Sequence, residues 1–81
     1  MIILNSARKH GISEEDMLTV AADAVVIVQL RDEPKKLLLL GFDTKGRALE
    51  VVTDTGDDGE TFLIHANKIT KSNEELLKEA L

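Results

Sequence analysis

The hydrophobic period of this chain changes at Ala24. Before it, Met17, Val20 and Ala21 recur at helical spacing. After it come four short apolar runs, rich in β-branched residues and separated by brief polar turns. The runs are Ala24–Leu30, Leu37–Asp43, Ala48–Asp54 and Thr61–Ala66. Connections this short leave no room for a crossover helix, so neighbours in sequence become antiparallel neighbours in a sheet. Leu37–Asp43 is apolar on both faces and reads as a central strand. Thr44-Lys45-Gly46-Arg47 is a tight hairpin loop with Gly46 at a position suited to positive φ.

Helical signals flank this meander. Asn5 or Ser6 is placed to cap a short helix that runs to His10 and stops at Gly11. Ser13-Glu14-Glu15-Asp16 has the form of a capping box, with Ile12 and Met17 as a hydrophobic staple, opening a helix to Ala22 or Asp23. Ser72-Asn73-Glu74-Glu75 is a second capping box, opening a terminal helix whose apolar stripe is Leu76, Leu77, Ala80 and Leu81. Met1–Leu4 reads as a strand or a strap over the core. The expectation is an α+β fold: two short N-terminal helices, a four-stranded antiparallel β-meander and a C-terminal helix, forming one domain over residues 1–81.

Composition narrows the function. The absence of cysteine excludes a disulfide framework, a thiolate nucleophile and a cysteine-bound zinc. It points to a reducing, cytoplasmic setting, and no apolar run is long enough to span a bilayer. Phe42 and Phe62 are the only aromatics, which counts against base-stacking platforms for single-stranded nucleic acid. The net charge of −5 repels polyanions at long range, leaving a local basic patch as the route to a phosphate.

One strand register brings two polar residues together. If the third and fourth strands close with Asp54 opposite Thr61, then Leu49, Val51 and Thr53 face Ala66, Ile64 and Phe62 across an apolar surface. Val52 then faces Leu63, and Glu50 meets His65 on the other face, with Cβ atoms about 5 Å apart. Pairing Asp43 with Ala48 adds Gly41 beside Glu50, making a notch. In that arrangement Glu50 orients His65 as a general base or acid. The plainer alternative is a cross-strand charge pair contributing less than about 1 kcal/mol.

Other constellations are weaker. Asp54–Gly59 departs from a calcium loop at Gly56 and at His65, where the pattern requires a ligand. His10, His65 and carboxylates supply metal-ligand types without diagnostic spacing, so no metal and no cofactor is assigned. Arg8, Lys9 and His10 end the first helix, Arg47 begins the third strand, and Lys68 and Lys71 follow the fourth. Gathered together, they would form a phosphate-binding patch. Dispersed, they are a helix end complementing its dipole and a set of solvated cations.

Arg8-Lys9-His10-Gly11-Ile12-Ser13 with Glu15-Asp16 resembles a segment of the BrnT-type toxins of the RelE-like ribonuclease superfamily. Gly41 with Gly46-Arg47-Ala48-Leu49-Glu50-Val51-Val52 is similar to that family's central hairpin, and Ile64–Thr70 to its following strand. A short actinobacterial branch of toxin-like proteins looks closer still. The resemblance covers roughly Ser6–Lys71. His65 stands where the family usually has serine, and Asn67 where it has arginine.

The resemblance implies an RNA-cleaving toxin of a type II toxin–antitoxin pair, neutralised by a cognate antitoxin protein. It nominates His65, Glu50, Lys9 and His10 for catalysis, and Arg8, Arg47 and Lys68 for holding RNA phosphate. The alternative is a non-catalytic module that keeps the toxin fold and binds a protein, or a second copy of itself, through a sheet edge or the last helix.

Overall fold

The structure, a computed structural model, describes residues 1–81. Its elements are β1 (Ile2–Ile3), α1 (Asn5–Arg8), α2 (Glu14–Ala22), β2 (Val26–Arg31), β3 (Lys36–Phe42), β4 (Ala48–Thr55), β5 (Thr61–Lys68) and α3 (Lys71–Ala80). The class is α+β, and the four-stranded meander forms. It is not the whole sheet, however. Five strands lie in the order β1-β5-β4-β3-β2, and β1 pairs parallel to β5 through Ile2–Phe62 and Ile3–Leu63. The sheet is therefore mixed. A two-residue strand carries no periodicity, and its pairing follows from β5 having an otherwise unpaired edge. The Leu4 N–H continues the pairing to the Leu63 carbonyl at 3.0 Å.

The sheet is covered on both faces. On one, Ala7, Ile12, Met17 and Val20 pack against Leu39, Leu49, Val51, Leu63 and Ala66. On the other, Leu77 of α3 packs against Leu38 and Leu40, flanked by Val26, Val28, Ala48, Val52 and Ile69. Burial on both sides explains the uninterrupted apolar run of β3. Met17 and Val20 are fully buried, each contributing about 1.5–3 kcal/mol of transfer free energy. No helix is long and apolar enough to cross a membrane.

Local signals succeeded where nothing distant competed. Ser13 caps α2, its Oγ accepting from the Asp16 N–H at 3.1 Å. Gly46 turns the β3–β4 hairpin at φ 81°, and Gly11 follows α1 at φ 75°. Elsewhere tertiary contacts redirected the side chains. Helix α1 ends at Arg8 rather than His10, and no side chain caps its start. Ser6 instead donates to the Ile64 carbonyl at 2.6 Å. The Ser72 capping box does not form either, because α3 begins at Lys71 with Thr70 at the N-cap and no side-chain cap.

The strand registers also differ from expectation. Glu50 pairs with Asn67, not His65, and His65 pairs with Val52. Leu40, not Gly41, lies beside Glu50, so the glycine notch is absent. Gly41 instead faces α2, where a Cβ would lie 3.4 Å from Ala24 Cα and 3.5 Å from Val20 Cγ1. The β4–β5 register shifts between Val52 and Thr53, leaving Ile64 as an extra residue. On the turn side of that bulge the hairpin closes with Thr55, not Asp54, opposite Thr61, which places Leu63 in the core where the regular register expected Phe62 and Ile64.

Candidate functional site

Glu50 and His65 meet despite the shifted register. Moving the pairing by two residues preserves the face on which each side chain stands. Their contact is diagonal: Glu50 Oε2 lies 2.9 Å from His65 Nε2. The other carboxylate oxygen accepts from the Thr70 N–H at 2.7 Å and from Asn73 Nδ2 at 3.1 Å. Glu50 thus ties β4 to β5 and supplies a carboxylate at the positive end of α3, in place of a local cap.

Glu50 is only 6% exposed. Burial pushes its pKa up, but hydrogen bonds from the Thr70 backbone, His65 and Asn73 outweigh this and hold it below the usual glutamate value. The ionised carboxylate has no proton to give, so His65 Nε2 must carry the hydrogen of the shared bond. In the neutral imidazole, Nδ1 is then the free base. The ring is partly open, with 30% of the side chain exposed. His10 packs edge to face on it, with centroids 5.6 Å apart and planes at 75°. The sequence alone left the relation between these histidines open; the structure makes them neighbours.

The expected cations do not form one patch around this pair. The Arg8 guanidinium donates to Glu14 Oε2, at 2.6 Å from Nη2 and 3.2 Å from Nε. Its Nη1 donates to the Ile3 carbonyl and to Asn5 Oδ1, so Arg8 clamps β1, α1 and α2. Arg47 Nε donates to Asp43 Oδ2 at 2.6 Å, and its Nη2 reaches Asp16 Oδ2 at 3.5 Å. Lys68 pairs with Leu49 and so alternates to the α1–α2 face, opposite His65. Lys9, the residue before His10, is exposed at the end of α1.

A second polar network escaped the sequence reading. Asp16, at the third helical position of α2, does not close its capping box. Its Oδ1 accepts from the Thr44 hydroxyl at 2.9 Å and from the Thr44 N–H at 3.3 Å. Asp43 Oδ1 accepts from the Lys45 and Arg47 N–H groups, each at 2.8 Å. The Thr44 hydroxyl leads the effects that lower the pKa of Asp16. At Asp43 burial pushes upward, and hydrogen bonds from Arg47 and the Lys45 N–H, with the Arg47 charge, together outweigh it. Asn73 was also missed as a partner of Glu50. Its place within a helix-start motif pointed to a local role instead.

Compared with family models, with curated proteins and with solved structures, the chain shows no significant match.

Proposed function

We propose that this chain is an RNA-cleaving toxin of a type II toxin–antitoxin pair, working by general acid–base catalysis at His65 and His10. The observation that carries the reading is the series from ionised Glu50 through His65 to the ring of His10. His65 Nδ1 takes the proton of a ribose 2′-hydroxyl, and the oxygen attacks the adjacent phosphorus. The imidazolium formed lies against the Glu50 carboxylate, which stabilises it. His10 protonates the departing 5′-oxygen. The products are a 2′,3′-cyclic phosphate and a 5′-hydroxyl. Lys9 is the exposed cation nearest in sequence to His10 and neutralises the phosphate. Arg8 and Arg47, each occupied by carboxylates, act as structural ties in this scheme. The motif order shared with BrnT-type toxins supports the same reading, which places the chain in the cytoplasm with a cognate antitoxin protein as partner.

The test is induction of the chain alone in a bacterium, beside His65→Ala and His10→Ala at matched levels. Growth arrest with RNA loss in the wild type only is the expected result. Full toxicity in either variant removes that histidine from the mechanism. Harmless wild-type protein, folded and abundant, ends the cleavage reading.

A second reading is favoured by one feature. Strand β2 ends the sheet with a free edge, and its Ile27 is 63% exposed. A non-catalytic module would use this edge to take a strand from a protein partner. Capture of one defined partner, lost on Ile27→Lys, together with harmless expression would support it.

A further inference from the structure

In a regular strand, residues 62 and 65 point to opposite faces, because the side-chain period is two. Here they share a face. Phe62 pairs with Asp54 and His65 with Val52, and those two partners stand two residues apart on β4. The extra residue is Ile64, held by the Ser6 hydroxyl on its carbonyl. Bulges of this kind re-aim side chains beside functional sites.

Phe62, on the face that His65 shares, lines a cavity of about 360 Å³, a volume within the range of small-ligand pockets. Phe62 and Ile64 line it from β5, Leu4 from the start of α1, and Arg31 and Asp54 from β2 and β4. Arg31 donates through Nη2 to Asp54 Oδ1 and through Nε to the Pro34 carbonyl. The pair fixes Asp54 while leaving 30% of its side chain exposed. A carboxylate with one guanidinium contact retains acceptor capacity. Asp57 adds a second, exposed carboxylate to the lining.

An aromatic face beside carboxylates disfavours a phosphate and favours a flat ring with donor groups on its edge. The cavity wall continues along β5 toward the histidines. Ile64 immediately precedes His65, and Phe62 and His65 stand opposite Asp54 and Val52, two residues or about 7 Å apart along β4.

We propose that this cavity is the nucleobase subsite of the cleavage site and takes guanine. The inference rests on the RNA-cleaving reading above. The ring stacks on Phe62, while N1–H and the N2 amino group donate to Asp54. Guanine is the base that presents two adjacent donors on one edge, matching a carboxylate. Recognition by base rather than backbone suits a chain with a net charge of −5.

The test titrates the full chain with guanosine, adenosine, cytidine and uridine, following backbone amide signals by NMR. Guanosine is expected to move Asp54, Phe62 and Ile64 and to bind about tenfold more tightly than the other three. Asp54→Asn removes the preference, and Phe62→Leu weakens guanosine about tenfold while preserving an apolar filling. No response at these amides, or an equal response to all four nucleosides, overturns the proposal. A tighter response to arginine amide also overturns it, assigning the cavity to a cationic side chain of a protein partner. RNA cleavage without guanosine binding ends the subsite and spares the cleavage reading. Guanosine bound in the cavity of a chain that leaves RNA intact does the reverse.

Discussion

Glu50 and His65 are hydrogen-bonded at 2.9 Å although neither is the other's cross-strand partner. Glu50 sits opposite Asn67, and the bond crosses to His65 on the diagonal. Its remaining oxygen reaches the start of α3. One buried carboxylate therefore joins the helix that closes one face of the sheet to the histidine pair at β5.

Glu50→Gln tests both roles. The amide keeps the size, loses the charge and turns one acceptor into a donor. It cannot accept from His65, Thr70 and Asn73 in the native arrangement. Stability is expected to fall by about 1–3 kcal/mol in denaturant unfolding. On the proposed RNA-cleaving function, cleavage is expected to fall about 10²-fold or more through loss of the oriented base. Unchanged cleavage by a folded variant would remove Glu50 from the mechanism.

Acid should weaken the fold through three carboxylates. Asp16, Asp43 and Glu50 all have folded pKa values below their ordinary 3.8, 3.8 and 4.5. A depressed folded value means that the unfolded chain binds the proton more tightly. Each group's contribution is thus present above its ordinary value and lost as pH falls through its folded value. Unfolding free energy should be nearly level near neutrality and decline below about pH 4.5. Glu50→Gln should make that decline shallower, and an identical slope would assign the acid sensitivity to other groups.

Two serines with the same local motif should differ. Ser13→Ala removes an observed cap and should cost about 1 kcal/mol. Ser72 caps nothing, and its substitution by alanine should leave the thermal midpoint nearly unchanged. Equal losses in the two variants would show that the Ser72 box forms in solution.

The β2 edge gives a fourth test. Ile27→Lys places a charge at an exposed edge position and should change monomer stability by less than about 0.5 kcal/mol. If a partner strand docks there, binding is lost in a pull-down or by analytical ultracentrifugation. Retained binding moves the contact elsewhere.

Much of the fold was legible because it depends on local chemistry. Ser13, Gly11 and Gly46 act within a few residues of themselves. The four central runs carry their own periodicity, and short turns dictate their order. The register was less legible. Alternation with Leu49 and Val51 fixes the face of Glu50, but Leu63 and His65, two residues apart, stand on opposite faces because Ile64 is bulged between them. The bulged Ile64 accepts from the Ser6 hydroxyl, 58 residues away.

The candidate site divides along the same line. The sequence by itself determined the α+β class, with two helices before a central meander and one after it. That Glu50 and His65 share a face was decided by the bulge at Ile64, because with Thr55 opposite Thr61 strict alternation would put them on opposite faces. Only the tertiary structure decided that β1 joins the sheet, that His10 reaches His65, and that Asn73 and Thr70 serve Glu50 rather than a local cap. Arg8 and Arg47 were occupied by carboxylates nearer in sequence, Glu14 and Asp43, with Asp16 of α2 adding the one distant contact at 3.5 Å. The physical reason is one of range: a short-range motif sets what a side chain is able to bond, and the packed fold sets which partner is near enough to be bonded.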